Sequence, residues 1–92
     1  MPVRHYIDRV PTMRLFASAR EAAGTGSDEF ATADGATVGD VLAAARQRYG
    51  QAFSAVLPTC RIWVNGDSAD WAATIGPDDE IAVLPPVSGG AT

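Results

Sequence analysis

A chain of 92 residues with a formal net charge of −4 is long enough for one domain and too short for a TIM barrel or a two-domain dinucleotide enzyme. Its seven basic residues are all arginine. This acidic balance argues against nucleic acid and anionic membranes as partners, because both attract basic surfaces. The single cysteine, Cys60, excludes an internal disulfide and any multi-cysteine metal site.

The first twelve residues are predicted to form an N-terminal extension, because isolated apolar residues alternate there with Arg4, His5, Asp8 and Arg9. The extension lacks the apolar run of a signal peptide, and the longest apolar runs of the chain are too short to span a membrane. The expected compartment is therefore the reducing cytoplasm.

Two strands and a short helix are predicted in the first third of the chain. Alternation over residues 13–16 predicts a strand. The alanine-rich residues 17–23, followed by Gly24, predict a short helix with a glycine stop. Residues 28–32 predict a second strand with Phe30 inward, before the turn signal Asp34-Gly35.

The clearest predicted helix follows Thr37. Thr37 with Asp40 three residues later is a capping-box arrangement, and Gly50 suits the position just past a helix end. One apolar face is expected at the helical spacing, made of Val38, Val41, Leu42, Ala45 and Tyr49. Residues 51–59 are predicted to be irregular.

Three further strands are predicted in the last third. Residues 60–64 favour a strand, and Asn65-Gly66 behind it is a tight-turn signal. Residues 68–71 are expected to pair back, residues 76–79 to turn, and residues 80–84 to form the last strand. This order predicts an α+β domain over residues 13–84, a sheet with one main helix packed across one face.

Few residues in this domain suit catalysis. His5 lies in the predicted extension, and Cys60 begins an apolar strand, where a buried and inert thiol is expected. The acidic run 78–80 fits a solvated turn better than a metal site, so no metal site is predicted. Trp63 and Trp71 are expected in the core or on a sheet face.

Residues 85–92 are predicted to form a projecting tail. Pro85 and Pro86 end the strand ladder and stiffen the exit. Gly89 and Gly90 have no Cβ, so they can enter a narrow channel and approach a reactive centre closely. A rigid stem with a slim end suits a delivered substrate, and the alternative is a frayed terminus.

Four motifs resemble the MoaD family, the small sulfur-carrying subunits of molybdopterin synthase, over residues 13–90. They are Leu15-Phe16-Ala17 with Ala19-Arg20-Glu21, Thr37-Val38-Gly39-Asp40-Val41-Leu42, Val64-Asn65-Gly66, and Asp79-Glu80-Ile81-Ala82-Val83-Leu84-Pro85-Pro86-Val87-Ser88-Gly89-Gly90. The resemblance implies a ubiquitin-like β-grasp fold with a mixed sheet of four to five strands.

The resemblance also implies a reaction cycle in which this chain is not an enzyme and binds no cofactor. An E1-like enzyme uses ATP to adenylate the carboxylate of Gly90, which follows Gly89, and sulfur from a persulfide donor then replaces AMP. The tail enters a MoaE-like large subunit of molybdopterin synthase, and the thiocarboxylate passes its sulfur to cyclic pyranopterin monophosphate.

Partner-binding residues are implied at the tail and on the sheet face beside it. Phe16 and Leu84 match the family's apolar docking face, although the alternative is that both are core residues. Arg20 matches a position that contacts the activating enzyme, and a third family contact, apolar in relatives, falls near Ser68. The stem residues expected to bind partners are Pro85, Pro86, Val87 and Ser88.

The chain departs from the family at both ends. Residues 1–12 have no counterpart, and Ala91-Thr92 would displace a terminal carboxylate from Gly90 by roughly 7 Å. Removal of these last two residues is therefore expected. Three other readings stay open at this point: a sulfur carrier for thiamine or cysteine synthesis, a ubiquitin-like protein modifier, and an interaction module with an inert tail.

Overall fold

The computed structural model describes residues 10–86. Residues 1–9 of the predicted extension lie outside this part of the chain. So do the predicted tail-site residues Val87, Ser88, Gly89 and Gly90, together with Ala91 and Thr92.

A mixed sheet of five strands forms one layer. The strands are β1 (Thr12–Leu15), β2 (Ser27–Glu29), β3 (Arg61–Val64), β4 (Asp67–Ser68) and β5 (Glu80–Leu84), in the spatial order β2-β1-β5-β3-β4. The central pair β1 and β5 is parallel, and the other pairs are antiparallel. The predicted sheet is confirmed, and the first and last strands of the domain lie side by side in its middle.

Three helices cover one face of the sheet: α1 (Ala17–Ala23), α2 (Val38–Tyr49) and α3 (Gln51–Val56). Alternate residues of the central strands, such as Met13, Ile81 and Val83, are fully buried. They form one core with buried residues of the helices, including Leu42 and Phe53. The sheet therefore has a buried inner face and an outer face that no element within residues 10–86 covers.

The main helix α2 begins and ends where the sequence predicts. The Asp40 N–H donates to Thr37 Oγ1 at 3.2 Å, and the Thr37 N–H donates to Asp40 Oδ2 at 2.9 Å, which completes the capping box. Gly50, with φ of +91°, ends the helix in a conformation that favours glycine. The carbonyls of Trp71 and Ala73 accept hydrogen bonds from the Gly39 and Val38 N–H groups.

The prediction that residues 51–59 are irregular is wrong. These residues form α3 and a 3-10 turn, Leu57–Thr59. Gly50 ends α2, and a second helix, α3, begins directly after it. Phe53 and Leu57 both bury their side chains in the core. Burial of these two side chains stabilises a helix that is too short to persist alone.

Two strands are shorter than predicted. β2 ends at Glu29, because Pro11, which lies opposite the next residue, Phe30, has no N–H to donate. The Phe30 side chain is buried, as predicted, and its N–H donates to the carbonyl of Pro11. β4 ends at Ser68, because the following residues leave the sheet to supply carbonyls to the start of α2. β1 begins at Thr12, and Pro11 is fully buried, so the described fold includes the end of the predicted extension.

Side chains fasten edge strand β2 to the end of α2. The Tyr49 hydroxyl donates to Asp28 Oδ2 at 2.6 Å, and Arg48 Nη1 lies 3.1 Å from the same oxygen. This hydrogen bond from Tyr49 lowers the pKa of Asp28, whereas burial, followed by the bond to Asp28, raises the pKa of Tyr49. Arg48 also lies over the Phe30 ring, 3.9 Å from its centroid.

The Asn65-Gly66 turn fixes the start of β5. Both residues have positive φ, +52° and +89°, as a type I′ hairpin turn requires. The Asn65 amide donates to Asp79 Oδ1 at 2.8 Å, and Asn65 Oδ1 accepts from the Glu80 N–H at 2.9 Å. The N–H of Gly76, followed by the Asn65 amide, lowers the pKa of Asp79. Asn65 therefore holds the β3–β4 turn to the central strand.

Candidate functional site

The outer face of the sheet carries an apolar groove where β5 ends. Alternation along β5 sends Ile81 and Val83 inward and leaves Ala82 and Leu84 on the outer face. The groove has a volume of about 570 Å³. Its lining residues, which define the tail-end groove below, are Phe16, Arg61, Trp63, Ala82, Leu84, Pro85 and Pro86.

Strand register explains why these side chains meet. Arg61 is paired with Leu84, and Trp63 is paired with Ala82. On the other side of β5, Leu15 is paired with Val83, and the Phe16 N–H donates to the Val83 carbonyl at 3.3 Å. Phe16 therefore flanks Leu84, and the small Ala82 leaves space beside the Trp63 ring.

A sharp change of direction presents Phe16 at this corner. Phe16 is extended, with φ of −127°, and Ala17 directly after it has φ of +51°. A left-handed conformation costs a residue with a Cβ about 1–2 kcal/mol. The chain thus leaves β1 abruptly and enters α1, and 39% of the Phe16 surface stays exposed.

The structure brings four of the predicted partner-binding residues together: Phe16, Leu84, Pro85 and Pro86. Phe16 is exposed and Leu84 is half-buried on the outer face, so neither belongs to the buried core. Their predicted role in binding a partner stays a prediction.

Arg20 lies on α1 beside the groove and does not line it. Its N–H donates to the Phe16 carbonyl at 3.2 Å, one helical turn back. Its exposed side chain lies against Gly26 in a separate shallow hollow that also includes Glu21. A partner that covers Phe16 can therefore also reach Arg20.

Arg61 and Trp63 are groove residues that sequence reasoning did not assign to the site. The sequence did indicate that both side chains face outward, because alternation along β3 places the two neighbours of the inward Ile62 on the outer face. Trp63 is 40% exposed. Trp63 lies opposite Ser68 of β4, the position near which a third family contact is expected. The large apolar side chain in this region is therefore that of Trp63 on β3, because Ser68 itself is small.

The other sequence candidates do not form a reactive site among residues 10–86. Cys60 is half-buried, with Sγ 3.4 Å from the Val56 carbonyl, and burial raises the pKa of its thiol. Asp79 is held by Asn65, and Glu80 accepts from Arg14 at 3.2 Å. No group of three His, Cys, Asp or Glu side chains within these residues is arranged to hold a metal ion.

The helices within the described part of the chain are too short or too polar to cross a membrane.

Comparisons with known proteins agree with this architecture. The profile of the ThiS family matches residues 13–90, and a search of curated proteins finds no match. SAMP1 from Haloferax volcanii is 32% identical, with a TM-score of 0.79 over 87% of this chain and 98% of that chain. The small archaeal modifier protein 1 from Methanosarcina acetivorans is 31% identical, with a TM-score of 0.75 over 87% and 95% of the two chains.

A third solved structure is named "Putative molybdopterin converting factor, subunit 1" and comes from Pyrococcus furiosus. It is 26% identical, with a TM-score of 0.76 over 84% of this chain and 97% of that chain. These likenesses confirm the predicted ubiquitin-like β-grasp fold and the predicted family resemblance.

Proposed function

Because the chain belongs to the ThiS family of ubiquitin-like proteins, we propose that it is a sulfur carrier for molybdopterin synthesis. In this proposal Gly90 bears a thiocarboxylate, and its sulfur goes to cyclic pyranopterin monophosphate. The motifs shared with the MoaD family and the 26% identity to the Pyrococcus furiosus protein support this pathway.

The observation that carries the proposal is the place from which the tail leaves the fold. Pro85 and Pro86 line the same groove as Phe16 and Leu84. Gly90 lies four residues beyond Pro86, so chain geometry limits their separation to roughly 14 Å. A partner that binds the tail-end groove therefore needs its reactive centre within that reach.

The proposed chemistry gives this chain the transferred atom and the docking surface, and gives its partners the catalytic groups. An E1-like activating enzyme uses ATP to convert the Gly90 carboxylate to an acyl adenylate, which supplies the leaving group that a carboxylate lacks. The terminal sulfur of a donor persulfide displaces AMP and gives an acyl disulfide. A second thiol then attacks the donor's sulfur, which forms a disulfide with the donor and releases the thiocarboxylate. The resulting thiocarboxylate is a soft nucleophile that attacks the pterin inside the large subunit of the synthase. The steps that use ATP and reduced sulfur place the cycle in the cytoplasm.

The carboxylate must belong to Gly90 itself in this proposal. Reacting atoms need to lie within about 3–3.5 Å of each other, so residues attached after Gly90 displace the carboxylate from both active sites. We propose that Ala91 and Thr92 are removed before activation.

Protein modification is the second candidate function. The 32% identity to SAMP1 and the modifier named in the Methanosarcina acetivorans structure favour it. The acyl group of the same adenylate would then be transferred to an amine of another protein, with release of AMP. The absence of lysine prevents chains linked through the carrier's own side-chain amines, but not the modification of other proteins.

Transfer to defined acceptors separates the candidates. The form that ends at Gly90 is thiocarboxylated and then mixed, in parallel, with the molybdopterin synthase large subunit plus cyclic pyranopterin monophosphate, and with the acceptor systems of thiamine and cysteine synthesis. The proposal predicts that sulfur is transferred only in the first mixture, where molybdopterin forms. Transfer only in another mixture would overturn the pathway. Covalent conjugates in cell extract supplied with activating enzyme and ATP would favour the modifier.

A further inference from the structure

We infer that Arg61 and Trp63 form a second contact region on β3, which binds an apolar side chain flanked by a carboxylate on the large subunit that receives the tail. This inference rests on the proposed function for the identity of that partner. It goes beyond the predicted partner-binding residues, which lie directly after β1, on α1, on β5 and in the tail.

Trp63 has the properties of an unpartnered contact residue. Its cross-strand neighbours on the outer face, Ala82 and Ser68, are both small. No described residue stacks on the indole or accepts a hydrogen bond from it, and 40% of the residue is exposed. Large aromatic residues of this kind gain most when a partner excludes water from them.

Arg61 supplies the only charge in the lining of the tail-end groove. Two of the other exposed arginines are paired within the fold: Arg14 with Glu80 and Arg48 with Asp28. The Arg61 side chain makes no hydrogen bond or ion pair with any described residue. Its planar guanidinium is suited to a carboxylate that arrives with a partner.

Charge therefore indicates the chemistry of the occupant. The chain as a whole carries a net charge of −4, yet the charged side chain at this groove is basic. A partner that fits places an apolar side chain over Ala82, between Trp63 and Leu84, and an acidic side chain beside Arg61. This combination favours a folded protein surface over a free anion or an acidic membrane.

The route of the tail favours the tail-receiving protein as that partner. Pro85 and Pro86 line the groove together with Arg61 and Trp63. A protein that holds Gly90 within roughly 14 Å of Pro86 therefore lies over or directly beside β3. The activating enzyme also receives the tail and is therefore another candidate occupant, as are residues 1–9 of this chain and a second copy of it.

The test compares two tryptophans of almost equal exposure, since Trp71 is 42% exposed and does not line the groove. Binding to the large subunit of molybdopterin synthase is measured by titration calorimetry. Trp63→Thr, which keeps a β-branched residue in the strand, should raise Kd at least about tenfold, the loss expected of a buried aromatic contact. Trp71→Ala should change Kd less than about twofold, as a surface position outside the contact does. Circular dichroism and thermal melting confirm that each variant is folded.

Salt dependence tests the acidic contact. Arg61→Ala should weaken binding and flatten the dependence of Kd on salt concentration, because a screened charge pair is lost. Arg61→Glu should weaken binding further. An unchanged salt dependence in Arg61→Ala would overturn the inference of a carboxylate at this position.

Fluorine NMR of the carrier labelled with 5-fluorotryptophan locates the contact directly. The Trp63 resonance, assigned with Trp71→Phe, should shift when the large subunit is added, and the Trp71 resonance should not. A Trp63 resonance that shifts with carrier concentration alone would assign the groove to a second copy of the chain. A Trp63 resonance that shifts when residues 1–9 are deleted, without the large subunit, would assign the groove to that segment. Either result would overturn the inference. If the unchanged chain binds the large subunit and both β3 variants bind equally well, the inference fails while the proposed function stands. If the unchanged chain does not bind the large subunit, both fail.

Discussion

The Arg20 guanidinium lies close to Gly26. A Cβ built on Gly26 would be 3.3 Å from Cζ, Nε and Nη1 of Arg20, tighter than ordinary contact, although the backbone there is not left-handed. Alanine at this position therefore requires the guanidinium to shift by a few tenths of an ångström, without straining the turn. Gly26 is a positioning residue for Arg20, which is predicted to contact the activating enzyme.

Gly26→Ala should impair activation through Arg20. The KM for the carrier in adenylation should rise while kcat is unchanged, and by less than the roughly tenfold rise expected for Arg20→Ala, which removes a charged contact outright. In an Arg20→Ala background, Gly26→Ala should have no further effect. An equal additional effect in that background would show that Gly26 acts independently of Arg20.

Cys60 illustrates a reactive residue type in an unreactive place. Its side chain faces the same way as Ile62, packs beside the core, and has a pKa raised by burial. The thiol is thus protonated near neutral pH and is a poor nucleophile.

Cys60→Ala should leave thiocarboxylation of the carrier intact, because the proposed sulfur site is the Gly90 carboxylate. Stability should fall by about 1 kcal/mol, as the loss of a small apolar group predicts. Intact mass measures the product, and urea unfolding measures the stability. Loss of thiocarboxylation in a normally folded variant would assign the chemistry to the thiol.

At the scale of elements, the links between strands and helices are local and polar. Edge strand β2 has only three residues, and Tyr49 at the end of α2 holds it through Asp28. Because the fold lowers the pKa of Asp28 below its ordinary 3.8, this stabilisation is fully present above that pH. It is lost as the pH falls through the lower pKa of the folded state.

Tyr49→Phe should lower the free energy of unfolding by about 1 kcal/mol near neutral pH, the net value of a hydrogen bond. The ring remains, so the edge contacts with Phe30 and Phe53 are kept. Urea titrations between neutral and strongly acidic pH should show this difference narrowing once the pH falls below the ordinary pKa of aspartate. A difference that is constant across the whole range would exclude the charged form of Asp28 as its source.

Elements with their own local signals could be predicted from the sequence. Thr37 with Asp40 marked the start of α2, and Asn65-Gly66 marked the turn after β3. α3 was missed because six residues are too few for a helical period, and its stability comes from burial of Phe53. The end of β4 was also missed because its cause lies elsewhere in the sequence. The carbonyls of Trp71 and Ala73 accept hydrogen bonds from the start of α2, which is distant along the chain.

At the scale of the whole molecule, the parallel pairing of β1 and β5 brings the two ends of the domain together. It places Phe16, which follows the first strand, beside Leu84, which ends the last strand. The sequence motifs identified both residues but were equally consistent with a core and a surface position. The structure of residues 10–86 leaves Phe16 exposed and Leu84 half-buried on the outer face. Arg61 and Trp63 join the site only through the pairing of β3 with β5, which no local motif indicates.

The central claim is that Gly90 carries the sulfur, and intact mass spectrometry tests it most directly. Three purified forms are incubated with the activating enzyme, ATP and a sulfide source: the full chain, a form ending at Gly90 and a form ending at Gly89. The form ending at Gly90 should gain the mass of one sulfur in exchange for one oxygen, and the other two should gain little. All three should unfold at the same temperature, since they share residues 10–86. Efficient thiocarboxylation of Thr92 in the full chain, or none in the form ending at Gly90, would contradict the account.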